Sequence, residues 1–399
     1  MPHALARAVE VAATVLAVAG ISYFCFAIVA ARIYLASRRA HLADFEPDVT
    51  ILKSLKGLDP GMLDAFRSHC TQTYRGHYEL LFGVSSLDDP AVTAVRQLQS
   101  EFPERSIGLV ECPLKLGANG KVSTLAQLVP HACSEFLLVN DSDITVSPRY
   151  LERVMASFAQ PSRERPQNSR PVGLVTALYR GRARGTAGSL FEALTISTDF
   201  IPSVLISKLI EGGLHYGLGS TLAVRREALG RIGGFEALVD QLADDYELGF
   251  RVAQAGYRVA LSREVVETSV PAYSWREFTD HQLRWFRTVR DARPGGYAGL
   301  IFAQGLCLAL LNVIASGFSP FSLWLLALSF FLRLTLAMVV GAEVLADHQV
   351  LPSLILLPVH DVIAFALWMA GFASNEVVWR GERFTVENGT LHRSEPSGQ

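Results

Sequence analysis

The chain has 399 residues, half of them hydrophobic, and a mean hydropathy of +0.27. This hydropathy argues against a plain soluble enzyme and favours one large domain joined to membrane segments. Lys and Arg total 36 against 38 Asp and Glu, so no bulk charge indicates a nucleic-acid partner. The five cysteines show no CxxC spacing and are odd in number, which argues against a disulfide framework and a zinc site.

The first hydrophobic segment lies near the start of the chain. Residues 11–31 carry no charge over about 20 positions, the length that crosses a hydrocarbon core. We predict a transmembrane anchor over residues 8–34 rather than a secretory signal, because basic residues follow the segment. One arginine precedes the segment and three follow it (Arg32, Arg38 and Arg39), so the region after the anchor is predicted to be cytoplasmic.

A second membrane region is predicted over residues 297–375. It contains three apolar segments, which are residues 299–318, 321–345 and 351–373. Three full crossings from a cytoplasmic start put the polar tail, residues 376–399, outside, whereas the arginines of the tail favour the inside. We therefore expect two or three crossings, and a tail on the inside requires one segment to be re-entrant or interfacial.

The region between, residues 45–294, alternates between short apolar runs and amphipathic stretches. "YELLFGVSS" and "EFLLVND" are typical of buried strands, and "PAVTAVRQLQSEF" is typical of a helix with one apolar face. This alternation predicts an α/β domain whose mostly parallel sheet is covered on both faces. We find no Gly-rich dinucleotide loop, Walker loop, GxSxG or HExxH motif, so the chemistries of those motifs have no support.

Two segments interrupt this alternation. Residues 160–171 are polar and contain prolines, which predicts a loop or flap. Residues 188–210 are apolar with few charges, but Pro202 interrupts them, so we expect an interfacial helix pair rather than a membrane span.

Four short motifs carry the candidate chemistry, in the order "LDDPA" (87–91), "NDSDI" (140–144), "ADDYELG" (243–249) and "HQLRW" (281–285). The acids of the first two motifs follow predicted strands, and in such sheets ligands bind beyond the carboxyl ends of the strands. Asp141 and Asp143 lie two residues apart, so both extend from one face of a strand end, where they can share a cation.

One reaction needs all of these groups, which is the transfer of a sugar from a nucleotide diphosphate. The leaving diphosphate requires a divalent cation, Mg²⁺ or Mn²⁺, which Asp141 and Asp143 are suited to hold. The acceptor hydroxyl requires a carboxylate base, a role that suits Asp245. Arg284 is suited to a phosphate through paired hydrogen bonds, and Trp285 offers a flat face to a sugar or acyl chain.

Plainer interpretations apply to several of these residues. Asp88 and Asp89 precede Pro90, so they also fit a helix cap. Asp244 and Asp245 lie in the first turn of a predicted helix, where the helix dipole stabilises acidic side chains. A membrane transporter or scaffold is the non-enzyme alternative, but a transporter places paired charges in apolar spans and in repeated halves, and no repeat is evident.

A few charged residues do lie within or near the apolar segments. They are Arg333, His360 and Asp361, and we regard them as candidates for contacts with lipid headgroups because charges at such positions are costly. Lys121 follows a glycine turn and suits either a phosphate or plain solvation.

Six motifs together resemble the ceramide glucosyltransferases, which are lipid-directed inverting enzymes of the glycosyltransferase A fold. The motifs are "LKSLKGLDPGM", "DDPAV", "GANGKVS", "DSDITV", "ADDYELG" and "HQLRW". The resemblance runs from about residue 48 to residue 290, and the flanking membrane segments also match that family's layout. It implies the glycosyltransferase A fold with N-terminal and C-terminal transmembrane helices.

The resemblance also implies roles for individual residues. Asp245 matches the catalytic base, and Asp141 matches the key acid of the metal motif. Asp143 completes a full DxD where the eukaryotic ceramide enzymes carry glycine. His281 stands where relatives carry Gln or Arg. The implied donor-binding residues are Asp88, Asp89, Lys121, Asp141, His281, Arg284 and Trp285.

The expected activity is therefore the transfer of a hexose, glucose in the first place, from a UDP-sugar to a lipid hydroxyl. "GANGKVS" also resembles bacterial enzymes that add N-acetylglucosamine to hopanoids, so ceramide and hopanoid both stay open as acceptors. That second resemblance implies the bacterial inner membrane. A processive polysaccharide synthase is a further alternative.

Overall fold

A computed structural model describes residues 2–38, 43–159, 170–374, 376–379, 382–387 and 390–393. Residues 160–169 of the loop or flap predicted over 160–171 lie outside the described residues, as do the basic positions Arg39 and Arg380. The helices are α1 (Pro2–Arg38), α2 (Met62–Cys70), α3 (Ala91–Glu101), α4 (Gly120–Leu128), α5 (Tyr150–Ala156), α6 (Ala187–Thr195), α7 (Ile201–Ile210), α8 (Arg226–Arg231), α9 (Asp244–Gln254), α10 (Trp275–Ala292), α11 (Pro294–Gly299), α12 (Gly305–Ala315), α13 (Pro320–Ala337), α14 (Val350–Ser353) and α15 (Leu357–Ala370). The strands are β1 (Val49–Ser54), β2 (Tyr78–Val84), β3 (Ser106–Glu111), β4 (Phe136–Val139), β5 (Ile144–Thr145), β6 (Val172–Arg182), β7 (Leu222–Arg225), β8 (Arg258–Ser269), β9 (Glu376–Trp379), β10 (Glu382–Glu387) and β11 (Thr390–Arg393).

The chain divides into two compact units. The sheet unit comprises His41–Arg184, Glu211–Pro271 and Glu376–Gln399, and the membrane-helix unit comprises Met1–Ala40, Gly185–Ile210 and Ala272–Asn375. The chain therefore leaves the sheet unit after β6 and re-enters it before β7.

The sheet unit contains an eight-stranded sheet in the order β3-β2-β1-β4-β7-β6-β8-β5. Strands β3, β2, β1 and β4 are parallel, as the alternating pattern predicts. Strand β7 runs antiparallel to both β4 and β6, so the sheet is mixed rather than parallel throughout. The tail forms a separate antiparallel sheet in the order β11-β10-β9.

The parallel half of the sheet sets the position of the motifs. Every residue of β4 is buried, and β1 is buried up to its last residue, because helices cover both faces of such strands. Leu52 of β1 pairs with both Leu81 of β2 and Val139 of β4. This register brings the loops that follow the three strands to one edge of the sheet.

Five helical stretches among the described residues are long and apolar enough to cross a membrane, and all belong to the membrane-helix unit. They are His3–Arg38, Ala187–Ile210, Pro294–Ala315, Pro320–Val344 and Val350–Ala370. Close packing of α1 on α12 depends on two glycines, because a Cβ atom on Gly20 would lie 2.5 Å from the Cα of Gly305.

The stretch Ala187–Ile210 differs from the expected helix pair, because it continues through Pro202. A π-helical turn, Ile196–Phe200, lies between α6 and α7, and the N–H of Ile201 bonds to the carbonyl of Ile196. Pro202 then occupies the second position of α7, where the missing N–H costs little. The local change in helix type accommodates the proline without a break.

Candidate active site

The second motif begins at Asn140, whose side chain is held by buried hydrogen bonds. Asn140 follows β4 and is buried, and its amide donates to the Tyr150 hydroxyl at 2.9 Å and to the Ser220 carbonyl at 2.7 Å. The Asn140 side-chain oxygen, Oδ1, lies 3.2 Å from the ring nitrogen Nε2 of His69. A buried polar network with these partners holds the backbone from which the next three residues project.

Alternation after Asn140 separates the side chains of the motif. The Ser142 hydroxyl donates to Asp59, whereas the Asp143 carboxylate accepts a hydrogen bond from the Thr268 hydroxyl of β8. The side chain of Asp141 is 44% exposed, so its carboxylate is open to a ligand. Burial, with a contribution from Asp141, raises the pKa of Asp143 to about 6.

Lys121 connects the second motif with the third. Its Nζ lies 2.6 Å from Asp141 Oδ1 and 3.6 Å from Asp244 Oδ2. The Asn119 side chain caps α4 at the N–H of Val122, which fixes the turn that carries the lysine. Burial lowers the pKa of Lys121, but the two carboxylates raise it by more, so the lysine stays protonated.

Asp245 lies in the first turn of α9 against a loop of small residues. One carboxylate oxygen accepts the N–H of Tyr246 at 2.8 Å, and the Asp245 carbonyl accepts the N–H of Gly217 at 3.2 Å. A Cβ atom on Gly219 would lie 3.1 Å from the other carboxylate oxygen, so glycine leaves this oxygen uncovered. Burial and the charge of Asp244 raise the pKa of Asp245 to about 6, which suits a proton acceptor near neutral pH.

Lys53, to which the sequence motifs assign no role, contacts the backbone of the second motif. Lys53 is 0% exposed at the end of β1, and its Nζ donates to the Asp141 carbonyl at 3.0 Å. Burial lowers the pKa of Lys53 to about 7, opposed by the charges of Asp141 and Asp143. A lysine within an otherwise apolar strand is the sequence signal for such a residue.

The first motif forms hydrogen bonds with the loop that follows β1. The Asp89 carboxylate accepts the N–H of Gly57 at 2.9 and 3.1 Å and the N–H of Ala91 at 2.9 Å. Asp89 thus acts at the start of α3, as the capping interpretation holds, while it also fixes a loop at the site edge. Asp88 is exposed beside it.

The fourth motif belongs to the membrane-helix unit, whereas the acids and both lysines belong to the sheet unit. His281 Nδ1 lies 3.2 Å from the buried Glu192 carboxylate without hydrogen-bond geometry, and Gln282 donates to Glu192 at 2.7 Å. The Trp285 ring packs edge-on against Phe200 at a centroid distance of 5.0 Å. Arg284 lies on the same helix, α10.

The charged residues of the apolar segments contact one another rather than an open surface. Arg333 is 2% exposed and donates to Asp361 at 2.6 Å and to Asp199 at 2.7 Å. The His360 ring lies 3.0 Å from the Thr195 hydroxyl. Because the guanidinium already pairs with both carboxylates, this cluster is an internal ion-pair network and not the predicted headgroup contact.

The residues at the sheet edge fit a divalent cation. Asp141 and Asp143 offer carboxylate oxygens, which are the ligands that Mg²⁺ and Mn²⁺ prefer. The Lys121 ammonium at 2.6 Å from Asp141 indicates that this carboxylate attracts positive charge in the folded protein. The site also leaves Asp141 exposed for further ligands.

Comparison with known proteins places this geometry in context. Ceramide glucosyltransferase 3 of Caenorhabditis elegans is 26% identical over 242 residues, which are 60% of this chain and 50% of that protein. Ceramide glucosyltransferase 1 of the same organism is 22% identical over 270 residues, 65% of this chain and 56% of that protein. The chain thus spans about half the length of these curated relatives.

A solved mannosyltransferase from Pyrobaculum calidifontis, in complex with GDP-Man and Mn²⁺, is similar in structure. The match covers 92% of this chain and 98% of that one, with a TM-score of 0.52 and 20% sequence identity. This likeness confirms the predicted glycosyltransferase A fold, in which a mixed α/β sheet carries acids at the ends of its parallel strands.

The family model described as glycosyl transferase family 21 matches residues 12–392, which includes both the sheet unit and the apolar helices. The six motifs, the fold and the match over nearly the whole chain agree, and the chain belongs to glycosyl transferase family 21.

Proposed function

We propose that this chain is a membrane-bound inverting glycosyltransferase that moves glucose from UDP-glucose to the hydroxyl of a lipid, with ceramide as the acceptor. The observation that carries the proposal is the convergence of Asp141, Asp143, Lys121 and Asp245 at one edge of the sheet. The names of the curated relatives support glucose and ceramide.

The donor half of the site requires positive charge against the diphosphate. Asp141 and Asp143 would hold a divalent cation, which stabilises the charge of the leaving diphosphate when it is bound. Lys121 provides a second positive charge beside Asp141, and it is suited to a phosphate oxygen once the carboxylate has another partner. Asp89 would contact the uridine side of the donor, and the further donor-binding residues proposed are Asp88, His281, Arg284 and Trp285.

The acceptor half requires a base. Asp245 accepts the proton of the lipid hydroxyl as that oxygen attacks the anomeric carbon and the bond to the diphosphate breaks. Direct attack from the face opposite the leaving group inverts the anomeric carbon without a covalent intermediate.

The proposal includes a location. The sheet unit would face the cytoplasm at a bacterial inner membrane, because three arginines follow the first apolar segment. Transfer of N-acetylglucosamine to a hopanoid polyol is the second candidate, since "GANGKVS" resembles those enzymes.

The test measures UDP release by the full chain in membranes from UDP-glucose and ceramide, with Mg²⁺, with Mn²⁺ and with chelator. We expect metal-dependent release that Asp141→Asn lowers by at least about 100-fold. Asp245→Asn is expected to lower transfer about 100- to 10,000-fold while UDP binding is retained. Asp64→Asn, an exposed acid of the same unit, is the matched control.

Two outcomes contradict the proposal. Wild-type turnover in Asp141→Asn removes the metal assignment, and loss of UDP-glucose affinity in Asp245→Asn with normal turnover moves Asp245 to the donor side. Mass spectrometry of lipids from a host that expresses the chain decides between the glucosylated ceramide and the modified hopanoid.

A further inference from the structure

Three aromatic rings form a continuous stack beside the candidate base. The Tyr216 and Tyr246 rings lie 5.7 Å apart between centroids with an interplanar angle of 23°, and Tyr246 and Phe250 lie 5.9 Å apart at 12°. Phe250 is 37% exposed and the two tyrosines are partly exposed. The stack therefore offers an amphipathic surface rather than a buried core.

The local sequence explains why these rings meet. Tyr246 and Phe250 are four residues apart on α9, so they lie on the same helix face. Tyr216 lies in the loop before β7, and a Cβ atom on Gly249 would lie 2.3 Å from the Tyr216 carbonyl carbon. The glycine thus allows the loop backbone to contact the helix and adds the third ring to the stack.

Both segments that carry the rings, helix α9 and the loop before β7, form backbone hydrogen bonds with Asp245. The N–H of Tyr246 donates to the Asp245 carboxylate, and the residue after Tyr216 donates to the Asp245 carbonyl. Gly219 of the same loop leaves the second carboxylate oxygen uncovered. The rings and the Asp245 carboxylate are therefore carried by the same helix turn and the same loop.

The chain also connects the stack to the apolar helix Ala187–Ile210. Tyr216 comes six residues after Ile210, the last residue of that helix. Tyrosine rings are enriched where protein meets both water and hydrocarbon, because one end of the ring is polar and the rest is apolar.

We propose that Tyr216, Tyr246 and Phe250 form the acceptor surface, on which the part of the lipid between its reacting hydroxyl and its hydrocarbon chains lies. This inference rests on the proposed function and adds to it the residues that bind the acceptor. The surface suits an amphipathic lipid whose hydroxyl is a few bonds from hydrocarbon.

The experiment measures steady-state kinetics of the full chain in detergent–lipid micelles, with acceptor and UDP-glucose varied separately. Phe250→Ala and Tyr216→Ala are each expected to raise the acceptor KM about 2- to 10-fold, because each substitution removes one aromatic contact with the lipid. The KM for UDP-glucose and the slow hydrolysis of UDP-glucose without acceptor stay unchanged. Leu114→Ala removes an exposed apolar side chain elsewhere on the unit and is expected to stay near wild type as the control.

The outcomes separate this inference from the proposed function. An unchanged acceptor KM in both alanine variants overturns the acceptor surface and leaves the transferase assignment standing. A raised KM for UDP-glucose also overturns it, since the rings then serve the donor. A wild-type chain that hydrolyses UDP-glucose but transfers nothing to any lipid overturns the lipid acceptor and this surface together.

Discussion

Asp244 and Asp245 begin the same helix but contact different groups. The Asp244 carboxylate accepts a hydrogen bond from Asn119 at 3.3 Å and lies 3.6 Å from Lys121. Asp245 contacts the backbone of Tyr246 and the loop that contains Gly217 and Gly219. Asp244 therefore sets the charge around Asp245 while Asp245 itself remains available to an acceptor.

This arrangement predicts the pH dependence of transfer. Because burial and Asp244 raise the pKa of Asp245 to about 6, the base is ionised above that pH, and the rate falls as the pH drops through about 6. Asp244→Asn removes a like charge, so the acid limb of the profile moves to lower pH. Lys121→Gln removes an opposite charge, so the limb moves to higher pH.

The measurement is log(kcat/KM) against pH for the wild type and the two variants, with acceptor well below saturation. The two variants must shift the acid limb in opposite directions. A limb that stays in place in both variants shows that a group other than Asp245 titrates.

Gly219 provides a second prediction at the residue scale. A methyl group there would lie 3.1 Å from the free Asp245 oxygen, so Gly219→Ala is expected to lower transfer several-fold at unchanged UDP-glucose affinity. Gly230 has no atom within 4 Å of a built Cβ, so Gly230→Ala is the control. Kinetics with both substrates check this, and normal transfer by Gly219→Ala shows that the acceptor approaches Asp245 from another side.

Residue types at strand ends were predictable because each acid follows an apolar run in the same short stretch of sequence. Their partners were not predictable. Lys53 and Thr268 reach Asp141 and Asp143 from strands 88 and 125 residues distant in the chain, and only the sheet order brings them together. Local patterns carry no signal for such pairings.

At the scale of elements, the parallel half of the sheet follows from the alternation of strands and helices. The antiparallel β7 does not, because it returns from the apolar helices rather than from a helix that crosses over the sheet. The proline in Ala187–Ile210 likewise predicted a break in the helix. The structure accommodates it with a π-helical turn, which the sequence does not reveal.

The contact between α1 and α12 gives a prediction for packing. Gly20→Ala places a methyl group 2.5 Å from the Gly305 Cα, and overpacking of this kind costs about 1–3 kcal/mol. We expect the melting temperature of the purified protein in detergent to fall by several degrees.

Gly299→Ala is the matched control, because a Cβ atom there meets nothing within 4 Å and alanine favours a helix. Equal melting temperatures for Gly20→Ala and wild type would mean that α1 does not pack closely on α12.

At the scale of the whole molecule, sheet pairing limits which apolar helices cross the membrane. The stretch Ala187–Ile210 begins after β6 and ends before β7, and these two strands pair in one sheet. We therefore predict that both ends of the stretch lie on the same side of the membrane. This prediction argues against a single crossing and favours an interfacial or re-entrant position.

The same reasoning leads to a prediction for the apolar segments at the end of the chain. Thr14 bonds to Asn312 at 2.8 Å, and Arg38 donates to the Val344 carbonyl at 2.9 Å. Pro294–Ala315 therefore ends near the start of α1, and Pro320–Val344 returns to the end of α1 that leads into the sheet unit. The tail belongs to the sheet unit, where Thr390 pairs with Gln241.

We predict that Val350–Ala370 is re-entrant, with both of its ends on one side of the membrane. Its middle is held by Arg333 on Asp361, while Val350 lies against Gly341 and Trp368 against Tyr297. The crossings are then α1, Pro294–Ala315 and Pro320–Val344.

A labelling experiment on sealed vesicles tests this topology. In a variant without natural cysteines, Ser316→Cys and the exposed His348→Cys are treated with a membrane-impermeant thiol reagent, and a reporter is fused after Gln399. We expect His348→Cys and the reporter on the face of the sheet unit and Ser316→Cys on the opposite face, because residues 316–319 join the two crossing helices far from Arg38. A reporter that shares the face of Ser316→Cys would instead make Val350–Ala370 a full crossing and would separate the tail from the sheet unit.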